Sequence, residues 1–314
     1  MNIWRTLTRK HLYFEFSATK NTRVFIYERP GMWMTEADLA LLLKDLQTVA
    51  RKTLPEGALR YGVLGGDQER LRACIITLVR DRKTDAPIAF NVLSLIPLLL
   101  HGESIDLMHL GLVMVDPGAR SKGLSWVLYG LTCFMVYLRG GLRPIWVSNV
   151  TQVPAIFGMV TTNFTGTFPG RPADRRTYEH TALARQIMTE HADVFGVGDD
   201  ADFDEERFVI RNSYTGGSDD LKKTFEDCAK HRDPEFNDIC GRELDYARGD
   251  DFLQIGQLSM ASARTFIMKN VPKRSLTTLA ASFAFMLVQS VILPFVHWLD
   301  ASRPYKNLRP ARSS

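Results

Sequence analysis

The stretch that decides the fold is Leu107 to Leu138, LMHLGLVMVDPGARSKGLSWVLYGLTCFMVYL. Leu110 to Val115 is an apolar run carrying two β-branched valines, the pattern of a strand buried on both faces. Asp116, Pro117 and Gly118 end it, because each favours a turn for its own backbone reason. Leu124, Leu128, Leu131, Met135 and Leu138 then recur at three- and four-residue spacing and predict a helix with one apolar side. Between strand and helix lie Arg120, Ser121, Lys122, Gly123, Leu124 and Ser125. A basic loop of small residues at a helix start offers free backbone N–H groups and the positive end of the helix dipole. That combination suits an anion such as a phosphate or pyrophosphate. A buried strand, a surface loop and a packed helix without any ligand would read the same way, but Arg120 and Lys122 add charge where an anion would sit. Gly123 allows close backbone approach.

The chain has 314 residues, 45% of them hydrophobic, enough for one large domain or a domain with appendages. The net charge of +4 comes from scattered Lys and Arg and is no nucleic-acid signature. Cys74, Cys133, Cys228 and Cys240 form no CxxC pair and no metal spacing, which argues for a reducing compartment and against a metal site. No signal-peptide pattern opens the chain, since Met1 to Ser17 alternates charges with aromatics.

The order Val115-Asp116-Pro117-x-x-Arg120-x-x-Gly123-x-Ser125 resembles the central motif of the GCN5-related N-acetyltransferases, the GNAT superfamily. Ser125 departs from it, standing where the family prefers Gly or Ala. The resemblance is carried by residues 106–169 and implies an α/β (α+β) fold: a mixed, mostly antiparallel central sheet flanked by helices. It implies an acyl-coenzyme A co-substrate, most simply acetyl-coenzyme A, whose pyrophosphate would rest on Arg120, Ser121, Lys122, Gly123, Leu124 and Ser125. Val113, Met114 and Val115 would pair through their backbone with the pantetheine arm, and Asn149 or Gln152 would help hold it. A bulge in the family's fourth strand, here within Ile105 to Val115, opens a slot beside the fifth. The family's usual tyrosine, which protonates the leaving thiolate, is matched by Phe157, which has no proton to give; Tyr129 is the substitute on the preceding helix. A base for the incoming ammonium would come from His109, Asp106 or Glu103, with His109 favoured by its neutral pKa. Each of these has a plain alternative as a bonded core histidine, a loop charge or a core tyrosine.

Residues 1–22 mix aromatics with basic residues and form an N-terminal arm, packed on the domain or lying at an interface. The acyltransferase-like domain occupies residues 23–215. In it Thr22 to Tyr27 is a strand, Thr35 caps a helix over Leu39 to Val49, and Leu71 to Val79 with Pro87 to Leu100 makes a hairpin around Asp81 to Asp85. Pro144 to Asn149 is the fifth strand, Thr151 to Pro169 a helix and loop, and Phe208 to Arg211 a late strand. Residues 216–270 are charged, show little apolar periodicity, and are expected to be a loop-rich extension packed on the domain.

Residues 271–314 contain Ser275 to Leu299, which has no Asp, Glu, Lys or Arg. As a helix it would span roughly 37 Å at about 1.5 Å per residue, which predicts membrane contact. A helix that closes a groove on the domain, or that forms a dimer interface, is the alternative. In either case the catalytic domain would face the cytoplasm, where acyl-coenzyme A is found. The expected activity is N-acyl transfer by direct attack of an amine on the thioester. The alternative is a membrane-associated module that binds acyl-coenzyme A without turnover.

Overall fold

The computed structural model describes residues 10–19, 21–54, 62–122, 124, 126–216 and 218–270, with the single residues 292, 295 and 299. Its frame is one large sheet of ten strands. In chain order these are β1 (Tyr13–Thr19), β2 (Thr22–Glu28), β3 (Cys74–Asp81), β4 (Pro87–Leu100), β5 (Glu103–Val115), β6 (Ile145–Thr151), β7 (Thr165–Phe168), β8 (Asp202–Asp204), β9 (Val209–Arg211) and β10 (Asp251–Leu258). The spatial order is β1-β2-β3-β4-β5-β6-β10-β9-β8, with β7 on β10. All pairings are antiparallel except β5 with β6. The sheet is therefore mixed and mostly antiparallel, as expected.

Helices cover both faces. On one side lie a π-helical turn (Trp126–Leu131), α3 (Thr132–Arg139), α4 (Pro154–Asn163) and α7 (Met260–Asn270). On the other lie α1 (Glu36–Ala50) and α5 (Tyr178–Glu190). The short α2 (Gln68–Arg72) leads into β3, and α6 (Pro234–Glu243) packs outside α4. Helix α1 starts where its sequence says it should: the Asp38 amide donates to Thr35 Oγ1 at 3.2 Å. It buries Leu39, Leu42, Leu46 and Val49 against β3 and β4, each worth about 1.5–3 kcal/mol of apolar burial. Asp81 forms the turn between β3 and β4 by accepting from the amides of Lys83 and Thr84.

Two segments differ from the sequence expectation. Part of the N-terminal arm is a strand: β1 pairs with β2, and Phe14 within it and Leu12 just before it are buried in the core beneath α3. The stretch 216–270 supplies β10, which runs through the middle of the sheet between β6 and β9. Its residues are almost all buried, including Gln254, whose amide donates to Pro169 O at 3.0 Å and Thr161 Oγ1 at 3.1 Å. The charged residues ahead of this strand mask its apolar pattern. No helix among the described residues is long and apolar enough to cross a membrane, and the apolar stretch 275–299 lies almost entirely outside them.

Candidate active site

Strands β5 and β6 are hydrogen-bonded only at Met108 with Val147 and His109 with Ser148; beyond these residues they part. At the same level β5 carries a bulge against β4. Leu93 stands opposite Leu110 and Asn91 opposite Val113, so Val92 faces both Gly111 and Leu112. The bulge resets the alternation of the strand. Met108 and Leu110 pack toward α3, and so do Val113 and Val115. Leu107, Leu112 and Met114 pack on the opposite face. Gly111 is required there, because a Cβ would lie 2.7 Å from the Val92 carbonyl oxygen.

A cavity of about 240 Å³ fills the wedge between the parted strands. Its walls are Leu110 to Val113 of β5 and Asn149 to Thr151 of β6. Tyr129 and Ile156 line it from the helices that cover one face, and Phe195 from the opposite face. Ser213, Tyr214, Ser218, Leu221 and Asp251 complete the lining. A second cavity of about 150 Å³ lies on the α1 and α5 face, lined by Val63, Arg70, Val92, Ser94, Ile96 and Val194 among others. His109, Gly111 and Leu112 line both cavities and form the partition between them.

The polar groups fall into distinct settings. His109 is buried, with Nδ1 3.0 Å from Ser148 Oγ and its ring 4.3 Å from that of Phe195. Burial lowers its pKa to about 3, so the imidazole is neutral at physiological pH. Burial raises the Tyr129 phenol well above its ordinary range, so it keeps its proton. Tyr129 lines the cavity from the π-helical turn, and the Asn91 side chain donates to the Leu128 carbonyl of that turn. Asn149 Nδ2 donates to Gln254 Oε1 at 3.2 Å.

Asp251 is 2% exposed, and burial raises its pKa to about 7 against the opposing hydrogen bonds of Ser213 and Tyr214. The Tyr214 hydroxyl lies 3.2 Å from Asp251 Oδ1 and 2.5 Å from the Gln152 side-chain amide.

The structure thus gathers His109, Val113, Tyr129 and Asn149 around one cavity. Gln152 touches it only through Tyr214, and Met114 and Val115 are not in its lining. Met114 points away, toward Thr53 Oγ1. Asp106 is not in the lining of either cavity; it is half-exposed and ion-paired with Arg29 at 2.6 Å. Glu103 begins β5 and is exposed. Phe157 faces the aromatic cluster of Phe236 and Phe252 instead of the wedge, and its neighbour Ile156 takes the wedge position.

The loop after β5 begins with a turn over Pro117–Lys122, held by Asp116, which accepts from Gly118 N at 2.9 Å and pairs with Lys52. Leu124 is buried in the core. Gly123, Ser125 and the side chains of Arg120, Ser121 and Lys122 lie outside the described residues. Tyr214 and Asp251 are missed by sequence reasoning; the one signal available was an aspartate heading an apolar run at Asp251. Among the described residues no cluster of three or more His, Cys, Asp or Glu could hold a metal ion.

No family model matches the chain. No curated protein is significantly similar to it. Several solved structures are. An acetyltransferase of Trypanosoma brucei is 20% identical over 38% of this chain and 78% of that one, with a TM-score of 0.27. A structure described as a GNAT-family acetyltransferase from Desulfovibrio desulfuricans is 14% identical over 42% of this chain and 82% of that one, with a TM-score of 0.29. A variant of the AtaT toxin, bound to the C-terminus of the antitoxin AtaR and to acetyl-CoA, is 15% identical over 37% of this chain and 76% of that one, with a TM-score of 0.29. The first two are described as acetyltransferases, and the third holds acetyl-CoA.

Proposed function

We propose that this protein transfers an acyl group, most simply acetyl, from an acyl-coenzyme A to an amine. The observation that carries this reading is the wedge between β5 and β6, with the Gly111–Leu112 bulge on its wall and a second cavity behind the bulge. A bulge leaves a backbone group without a ladder partner. An N–H at that place supports a thioester carbonyl as negative charge develops on its oxygen. In this reading the thioester end of the pantetheine arm lies in the wedge beside Val113, with Asn149 across from it, and the arm runs out of the wedge along the backbone of Met114 and Val115. The pyrophosphate rests on the loop from Arg120 to Ser125. The acceptor amine enters through the second cavity and meets the thioester beside Gly111. Its nitrogen bonds to the carbonyl carbon, the C–S bond breaks, and amide and thiol leave. His109, neutral and held by Ser148, contributes a fixed hydrogen-bonding ring at the partition and not a resident charge. Tyr129 faces the thioester from the helix side. Asp106 is engaged by Arg29 and has no part in the step.

A second reading, a module that binds acyl-coenzyme A without turnover, is favoured by one observation. Phe157, at the place of the family's acid, is sealed among Phe236 and Phe252. The two are separated by incubating the full chain with acetyl-coenzyme A and a panel of primary amines, and following free thiol. Amine-dependent thiol release is expected. Binding without release would favour the module, and the absence of both would remove both readings.

A further inference from the structure

We propose that the Tyr214 hydroxyl, backed by the Asp251 carboxylate, is the proton-transfer group of this site, supplying the function that Phe157 lacks. This deepens the acyl-transfer reading and rests on it. The strand registers bring the pair to the bulge. Thr151, at the end of β6, lines the wedge and pairs with Phe252. Asp251, the neighbouring residue on β10, lines the same wedge as Leu112 and Val113. Asp251 also pairs with Ile210, whose side chain belongs to the core on the α5 face. Directly paired residues share a face, so the carboxylate looks to the side from which the second cavity is entered. Tyr214 and Asp251 both line the wedge, 3.2 Å apart from hydroxyl to Oδ1, and the Gln152 amide at 2.5 Å fixes the hydroxyl.

A carboxylate this buried costs stability unless a cation balances it, and among the described residues no Lys, Arg or His forms an ion pair with Asp251. The groups facing it are Ser213 and Tyr214 from the turn after β9 and Asp250, the residue just before β10. Tyr246 and Cys228, from the segment before β10, also lie within electrostatic reach. None of these is a cation. Burial raises the carboxyl to about 7, the range in which a group both takes and returns a proton at physiological pH.

The step balances. As the amine nitrogen bonds to the carbonyl carbon, its proton passes to the Tyr214 oxygen and the tyrosine proton moves to Asp251. As the C–S bond breaks, the same pair returns a proton to the departing sulfur. Thioester and amine become amide and thiol with no net proton change.

The test compares the full-length wild type with Asp251→Asn and Tyr214→Phe. Thiol release is measured across pH 5 to 9, with the acetyl-coenzyme A thermal shift as the binding readout. The wild-type kcat/KM is expected to fall as pH drops below about 7, because the carboxylate must be ionised to receive the proton. Asp251→Asn is expected to lose about 10²–10³-fold in rate and to lose that acid limb, with the thermal shift retained. Tyr214→Phe is expected to lose a similar factor. A wild type that turns over, with both variants at its rate and with its pH profile, would overturn this assignment alone. Should Asp251→Asn fail to fold, Tyr214→Phe at wild-type rate overturns it by itself. A wild type that neither binds acetyl-coenzyme A nor releases thiol would overturn the functional reading as well.

Discussion

Replacing Gly111 by valine is expected to lower acyl transfer by about a hundredfold or more, and to destabilise the fold by about 1–3 kcal/mol. The atom that a substitution adds first, the Cβ, would sit 2.7 Å from the Val92 carbonyl oxygen. That neighbour is backbone in the middle of the sheet, so it has no rotamer by which to move away. Relief must come from shifting β5 against β4, and β5 carries His109 and Leu112 on the partition between the two cavities. A displacement of about 1 Å at a reacting centre is enough for a loss of that size. Thermal melts and thiol-release rates on the same preparation separate the two effects. A folded Gly111→Val protein with wild-type turnover would show that the bulge does not position the thioester.

The largest stability effect is expected at Phe236. Its side chain is fully buried, meets Phe157 at 6.0 Å and His231 at 4.9 Å, and supports the Arg171 guanidinium 4.6 Å above its ring. Helix α4 approaches this ring so closely that a Cβ on Gly158 would lie 2.6 Å from Phe236 Cδ2. Phe236→Ala would empty the space between α6 and α4, and a deletion of that size costs about 3–5 kcal/mol. At about 2–4 °C per kcal/mol the melting temperature should fall by roughly 6–20 °C. Because α4 also sets Ile156 in the wedge, affinity for acetyl-coenzyme A should fall with it. A melting temperature within about 2 °C of wild type would contradict the view that residues 216–270 are integral to the domain.

The sequence carried the local features well, because each has a local cause. Thr35 stands where its hydroxyl can accept from Asp38 N, Asp81 can close its own turn, and Asp116-Pro117-Gly118 cannot continue a strand. The helix after the loop that follows β5 was legible in its buried positions Leu124, Leu128, Leu131 and Met135. Its π-helical turn was not. Spacings of four, three and four satisfy an ordinary helix, and the Asn91 side chain that meets the Leu128 carbonyl comes from a strand far away in sequence. The bulge was expected only from the family resemblance. In LMHLGLVMV every residue but His109 and Gly111 is apolar, so a one-residue slip in alternation leaves no trace in the pattern. Tyr214 and Asp251 were illegible for a related reason. They meet across a separation of 37 residues through the pairing of β9 with β10, and β10 itself was hidden by the charged residues before it.

The central claim is that the wedge between β5 and β6 receives an acyl-coenzyme A. The most direct measurement is a titration of the full-length protein with acetyl-coenzyme A, read by calorimetry and by thermal shift. It would be run beside Ile156→Trp, which places a bulky ring in the wedge. Ligand that binds only the folded state raises its stability by about 2.7 kcal/mol at a hundredfold excess over Kd. The account predicts saturable binding with a matching rise in melting temperature for the wild type, and loss of both in Ile156→Trp while that variant stays folded. No binding by the wild type, or equal binding by the filled variant, would contradict it.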